Sequence, residues 1–286
     1  MAGLSRFIAD NARLLQAAGI EAATAEMELM LCHVLNLDRL HLYLDGSSQM
    51  SDEAVEKLNT FISRRLTRYP LQYILEEAWF YGRKFFVSPQ VMIPTPETEI
   101  LCERAVECVN RAGLARPRIL DLGVGSGAIA VTMALEVTDC SVLAVDISTE
   151  ALEVARRNAI NLGAAGKIGL RQSNFFTAIA DDEKFELILS NPPYITTEEY
   201  STLPPEVLAC PKESLLGGTD GLDAIRTILA DAPKHLNRGG RIMFEIGFRQ
   251  CEAVRRLVDN DIRFQTIDIV KDLNGHDRVV VLGCRG

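Results

Sequence analysis

The sequence predicts an α/β protein: a doubly wound, Rossmann-like sheet of seven strands, preceded by a small N-terminal helical domain and joined to it by a β-hairpin linker. Three observations carry this expectation. From Arg118 onward, apolar runs of strand length alternate with helical patterns. A glycine-rich turn, Gly123-Val124-Gly125-Ser126-Gly127, follows the first of these runs. Residues 1 to about 75, in contrast, carry apolar positions at helical spacing throughout.

The helical region is defined by Phe7, Leu14 and Leu15, then Met27, Leu29, Met30, Leu31, Val34 and Leu35. Asp45-Gly46-Ser47-Ser48 interrupts the pattern. Ser51 is placed to cap a further helix, with Asp52 and Glu53 in its first turn. Tyr69-Pro70 closes the region. The basic cluster Arg64-Arg65-Leu66-Thr67-Arg68 is expected as a solvated helix face. The domain boundaries that follow are 1–75, a linker over 76–93 and a second domain over 94–286. Trp79 to Val87 predicts a hairpin turning at Gly82, with an extended linker as the plainer alternative. Thr95 and Pro96 then suit the N-cap and first turn of a helix whose free N–H groups can hold a carboxylate.

In the second domain the strand candidates are 118–123, 141–147, 168–173, 185–191, 241–247, 263–270 and 278–284. Ligands of doubly wound sheets bind beyond the carboxyl ends of the strands. Asp121, Asp146, Asn174 and Asn191 all fall at such ends, so one cleft can collect them. The glycine turn lets backbone approach a ligand closely. Asp146 follows it at about the offset of an acid that binds a ribose diol. Ser148 is placed to cap the next helix, which runs through Asn161. The turn also fits a loose dinucleotide fingerprint, and a tight strand-to-helix turn is the plainest reading of its glycines. Asp121 before the first glycine instead gives the Asp-Leu-Gly pattern common to S-adenosylmethionine sites.

The most informative segment is Asn191-Pro192-Pro193-Tyr194, directly after the apolar run 185–189. A side-chain amide oxygen and the carbonyl of Pro192 make two acceptors. Proline fixes φ and brings no N–H, so the carbonyls stay aimed. Tyr194 can lie against a planar group. The set is suited to gripping a planar –NH2. Taken alone, the four residues also fit a loop turn. The segment 195–220 lacks a regular pattern, and Leu216 to Gly221 is expected to lend it mobility.

Composition narrows the class. The chain has 286 residues and a net charge of −9, which argues against a broad duplex-binding face. The seven cysteines are scattered without a C-x-x-C pair, as in reduced cytoplasmic proteins. The four histidines are isolated, so no metal is expected. No apolar run has the length of a membrane span.

Pro70-Leu71-Gln72-Tyr73-Ile74, Phe80-Tyr81-Gly82, Ile93-Pro94-x-Pro96-Glu97-Thr98-Glu99, Asp121-Leu122-Gly123-x-Gly125-Ser126-Gly127, Asn191-Pro192-Pro193-Tyr194, Gly217-Gly218-x-Asp220-Gly221 and Lys271-Asp272-Leu273-x-Gly275-His276-Asp277-Arg278 together resemble the peptide chain release factor glutamine methyltransferases, the PrmC or HemK family. The resemblance spans nearly the whole chain. It implies a five-helix N-terminal domain that helps bind a class-1 release factor, and a methyltransferase sheet with a final antiparallel strand. It also implies S-adenosylmethionine as donor, S-adenosylhomocysteine as product, and the glutamine of the release factor's Gly-Gly-Gln loop as acceptor. It places cofactor contacts on Gly123, Val124, Gly125, Ser126, Gly127, Asp146 and Phe175; Asp121 of the Asp-Leu-Gly pattern and Asn174, whose oxygen can accept from an adenine amino group, join them, and the free N–H groups at the helix start put Thr98 at the methionine end. Asn191, Pro192 and Tyr194 are the expected catalytic residues, and with Pro193 they form the substrate clamp. The chain departs from the family pattern at Glu76, Thr95, Val124, Asn174 and Cys210. A cytoplasmic monomer that binds no nucleic acid directly is expected. The alternatives are a glutamine methyltransferase of a ribosomal protein, an adenine-N6 DNA methyltransferase, whose target is also a planar –NH2, and a silent module that sequesters release factors.

Overall fold

The computed structural model describes residues 4–44 and 50–285, so the break expected at Asp45-Gly46-Ser47-Ser48 lies outside the described residues. The chain divides into two compact units: the residues up to Glu77 together with Pro204–Ala209, and the remainder.

The first unit contains helices α1 (Leu4–Ala17), α2 (Ala23–Leu35), α3 (Arg39–Leu44), α4 (Asp52–Leu66) and α5 (Leu71–Leu75). Leu15, Met27, Met30, Leu31 and Leu58 form a fully buried centre, which is what apolar positions at helical spacing produce when helices pack. Ser51 accepts a hydrogen bond from the Ala54 N–H at 3.2 Å and so caps α4. In the basic cluster Arg64, Leu66 and Thr67 are exposed as expected, while Arg65 and Arg68 correct the expectation of a solvated face. Arg65 is buried, donating from Nε to Glu26 at 2.6 Å and from Nη1 to Glu206 at 2.9 Å. Arg68 donates to the same Glu206 carboxylate at 2.6 Å and 3.0 Å. A buried guanidinium needs such partners. Glu206 is supplied by the short segment 204–209, which is distant in sequence from the rest of this unit.

The second unit opens with a hairpin of β1 (Glu77–Phe80) and β2 (Arg83–Phe86). Tyr81 and Gly82 have φ of 50° and 70°, the geometry of a two-residue hairpin turn. Helix α6 (Pro96–Ala112) follows. Then come β3 (Arg118–Leu122), α7 (Ala128–Glu136), β4 (Ser141–Asp146), α8 (Thr149–Asn161), β5 (Ile168–Gln172) and β6 (Phe185–Ser190). The short helix α9 (Thr197–Tyr200) comes next; α10 (Pro205–Leu208) belongs to the first unit, and after it come α11 (Asp223–His235), β7 (Leu236–Glu245), α12 (Cys251–Asp259), β8 (Phe264–Lys271) and β9 (Asp277–Cys284).

The seven strands β3 to β9 form one doubly wound sheet in the order β5-β4-β3-β6-β7-β9-β8. Strands β3 to β7 pair in parallel, and β9 runs antiparallel between β7 and β8. Residues alternate between the two faces. Ile119, Leu187 and Leu189 join the core on one face, while Leu120, Leu122 and Ile188 join the core on the other. Both faces are covered along the central strands β3, β4 and β6, whose residues are mostly buried and apolar. Six strands match their expected bounds to within one residue. The exception, β7, begins at Leu236, because Phe185 pairs with Leu236 before an irregular register brings Leu187 to Arg241.

Candidate active site

The chain runs outward from β3 through β4 to β5, then returns to the other side of β3 as β6. Such a reversal opens a crevice at the carboxyl ends of the strands. Leu122 and Ser190 are register partners on β3 and β6, and Ser190 Oγ donates to the Leu122 carbonyl at 2.7 Å. The glycine turn and Asn191 therefore leave the sheet side by side, from strands one hydrogen bond apart.

The glycine turn is built from backbone. Gly123 and Val124 both donate N–H to the Val145 carbonyl at 2.9 Å. Gly125 N–H donates to Asp146 Oδ2 at 2.9 Å, and Ser148 N–H donates to Oδ1 at 3.0 Å. Each carboxylate oxygen keeps a lone pair for a further donor. Ser148 also caps α8, accepting from Ala151 N–H at 3.1 Å. A Cβ added at Gly125 (φ 51°) would meet nothing within 4 Å, so that side of the turn is open. At Gly127 (φ 83°) a Cβ would lie 3.2 Å from the Ala155 backbone, so α8 packs directly on the turn. An open glycine cradle beside a half-buried carboxylate with spare lone pairs fits a nucleoside with a ribose diol.

The other expected cofactor residues differ in what they offer. Val124 is a core side chain, so only its backbone belongs to the turn. Ser126 is buried, and its carbonyl accepts from Asn158 Nδ2 at 2.8 Å. Asn158, which no motif in the sequence marks, also exchanges two hydrogen bonds with the Phe86 backbone, at 2.7 and 2.8 Å, and so ties the turn to β2. Asp121 is buried behind the turn. Its Oδ2 accepts from Ala130 N–H at 3.1 Å, while Oδ1 has no partner among the described residues. Burial pushes this carboxyl up to about 7, against the Ala130 N–H and with the nearby Asp146 charge. Asn174 and Phe175 follow β5, whose Gln172 pairs with Asp146. Asn174 is exposed and Phe175 half-buried, in a turn that holds Phe175 at φ 48°.

The clamp is built from side chains. Asn191 Nδ2 donates to Thr98 Oγ1 at 2.9 Å. Thr98 Oγ1 donates in turn to Glu245 Oε2 at 2.7 Å. Tyr194 Oη donates to Glu245 Oε1 at 3.3 Å. Thr98 is thus a buried bridge between the clamp and Glu245. Thr95 occupies the N-cap of α6, yet its side chain makes no capping bond and instead lies 3.4 Å from Thr98 Oγ1. Burial pushes Glu245 up to about 7, partly offset by the Thr98 hydrogen bond and by Arg278. Burial and the Glu245 charge together raise the Tyr194 phenol, which therefore stays protonated and donates.

Gln250 locks the backbone behind the clamp. Its Nε2 donates to the Tyr194 carbonyl at 2.9 Å and to the Gly221 carbonyl at 3.1 Å, and its Oε1 accepts from Gly247 N–H at 2.9 Å. The glycines of 217–221, expected to lend mobility, serve close approach instead. A Cβ at Gly217 would lie 2.6 Å from the Pro193 carbonyl, and one at Gly221 would collide with the Tyr194 carbonyl. Ile195 and Gly217 close the loop through paired backbone bonds, Ile195 N–H to the Leu215 carbonyl and Gly217 N–H to the Ile195 carbonyl, each 2.8 Å. Neither Glu245 nor Gln250 was singled out in the sequence. The available signal was a lone acid inside the apolar run Ile242-Met243-Phe244-Glu245-Ile246.

Comparison with known proteins agrees with the fold. A family model of the PrmC N-terminal domain matches residues 8–75, and one of the methyltransferase small domain matches residues 99–210. The fold resembles that of a methyltransferase from Pyrococcus furiosus, with a TM-score of 0.51, 20% identity, and coverage of 71% of this chain and 89% of that one. The sheet, the glycine turn and the family match define an S-adenosylmethionine-dependent methyltransferase. The release factor glutamine methyltransferase of Cereibacter sphaeroides is 40% identical over 269 residues, 93% of each chain. That of Bacillus cereus is 37% identical over 256 residues, 88% of this chain and 90% of its own. The chain belongs to the release factor glutamine methyltransferase family.

Proposed function

We propose that this protein methylates the side-chain amide nitrogen (N5) of the glutamine in the Gly-Gly-Gln loop of class-1 peptide chain release factors. The observation that carries the reading is the Asn191 amide. Its Nδ2 is engaged by Thr98, which leaves Oδ1 as an acceptor, and the residue emerges beside the glycine turn.

S-adenosylmethionine, when bound, would supply an electrophilic methyl group, the sulfur keeping the electron pair of the broken S–C bond and leaving as S-adenosylhomocysteine. Asp146 and the backbone of 123–127 would hold its nucleoside, with Asn174 and Phe175 at the adenine side. An amide nitrogen is a poor nucleophile because its lone pair is delocalised into the carbonyl. Asn191 Oδ1 and the Pro192 carbonyl each accept one amide hydrogen, turning the lone-pair face toward the methyl. As the nitrogen forms its new bond it gains positive character, and the same two oxygens stabilise it. Tyr194 lies against the amide plane and sets its distance. Fixed by Gln250 and Glu245, these groups need little rearrangement, so orientation supplies much of the acceleration. The nitrogen then releases a proton to water. The same reading places the enzyme in the cytoplasm. Among the described residues, no helix is long and apolar enough to cross a membrane.

The test is incubation with methyl-labelled S-adenosylmethionine and a purified class-1 release factor, followed by mass spectrometric mapping. A single methyl on the Gly-Gly-Gln glutamine is expected. Labelling of duplex DNA or of a ribosomal protein, with the release factor unmodified, overturns the reading.

A further inference from the structure

We infer that Glu245 is a positioning residue that, through Thr98, fixes which end of the Asn191 amide faces the substrate. The inference rests on the function proposed above and concerns how the clamp acquires its polarity.

An ionised carboxylate accepts and cannot donate. The single Thr98 hydroxyl proton therefore goes to Glu245 Oε2, at 2.7 Å, rather than to Thr95 Oγ1, at 3.4 Å. Toward Asn191, Thr98 Oγ1 is left able only to accept. Asn191 must then present Nδ2 to it, which turns Oδ1 to the substrate. Protonation of Glu245 on Oε2 reverses the chain. The acid donates to Thr98, the freed Thr98 proton seeks the Asn191 oxygen, and the amide flips. Its –NH2 then faces the substrate –NH2, donor against donor. Tyr194, bound to the other carboxylate oxygen, couples the aromatic side of the clamp to the same group.

The surroundings put this change within ordinary pH. Glu245 is buried, and burial raises its carboxyl to about 7. The groups facing it are Glu97 and Cys102 of α6, Tyr194 after β6, and Arg278 of β9, which itself holds Asp272 through Nε at 3.0 Å. Glu97 pushes Glu245 upward and Arg278 pulls it down. Cys102 is deeply buried with its thiol raised, so it stays neutral.

The experiment compares wild type, Glu245→Gln, Thr98→Val and Thr98→Ser on the release factor, with kcat followed from pH 5.5 to 8.5. In parallel, the Asn191 side-chain amide is followed by 15N NMR without substrate. Wild type is expected to lose kcat on the acid side, with the Asn191 signal shifting over the same pH range. Glu245→Gln, which can still accept from Thr98 but cannot titrate, is expected to flatten both profiles. At saturating S-adenosylmethionine, Thr98→Val should lower kcat about tenfold, the rate equivalent of one hydrogen bond. Thr98→Ser should restore the rate. An acid limb and a shifting Asn191 signal that persist in Glu245→Gln overturn the inference, as does a wild-type rate in Thr98→Val, while the methylation reading stands. No transfer by wild type at any pH overturns both.

Discussion

The two halves of the site are made of different material. The glycine turn is a backbone device: Gly125 and Ser148 N–H groups fix Asp146, and glycine supplies the space. The clamp is a side-chain device: Asn191, Thr98, Glu245 and Tyr194 form a chain of hydrogen bonds whose members lie 51 to 147 residues apart. Backbone binds whatever fits its shape and tolerates changes in neighbouring side chains. A side-chain chain has a direction, set by protons, and one wrong group can reverse it. In the proposed reaction, recognition of a cofactor and activation of a weak nucleophile thus place different demands on the carboxyl ends of one sheet.

Four measurements test this contrast. The largest effect is expected from Asn191→Ala, which should abolish methyl transfer while S-adenosylmethionine still binds in calorimetry. Near-normal turnover in that variant removes the clamp. Next, Asp146→Ala should weaken S-adenosylmethionine by about 10- to 100-fold, since it removes an acceptor that the turn itself is built around, at about 1.4 kcal/mol per tenfold. Turnover at saturating cofactor should survive in part. Unchanged affinity places the ribose elsewhere.

The third concerns stability and pH. Asp121 and Glu245 are buried carboxyls raised to about 7 in the folded chain, above roughly 4 in the unfolded one. Between these limits the folded state holds protons that the unfolded state has released. Stability should therefore rise as pH falls from 8 toward 5, and the penalty of ionising both groups is fully present above 7. Asp121→Asn should flatten urea midpoints across that range, gaining stability at pH 8 and little at pH 5. A wild-type midpoint that is level from 8 to 5 removes the buried-charge account. The smallest effect is expected from Ser148→Ala. Loss of this N-cap should cost about 1 kcal/mol in denaturation and leave kcat unchanged.

The same contrast decides what could be read in advance. The sheet was legible because buried parallel strands are near-continuous apolar runs, and their ends are marked by Asp121, Asp146 and Asn191. Ser51 and Ser148 were legible as caps because capping is decided within four residues. The glycines of 217–221 were misjudged because flexibility and close packing ask for the same residue. Only the distance to the Tyr194 and Pro193 carbonyls tells the two apart. Arg65 was misjudged because its partner Glu206 is 141 residues away.

The order of residues therefore determined the helical region, the alternating strands, the glycine turn and the presence of an amide between rigid prolines and the strand. These depend on local periodicity, local torsion and local capping. Tertiary structure alone decided that Thr98 bridges Asn191 to Glu245, that Gln250 holds the Tyr194 carbonyl, and that Asp121 is shut away with no second partner among the described residues. The reason is physical. Hydrogen-bond direction, burial and the charge state they impose are properties of groups brought together by the sheet, and no spacing along the chain encodes which groups those are.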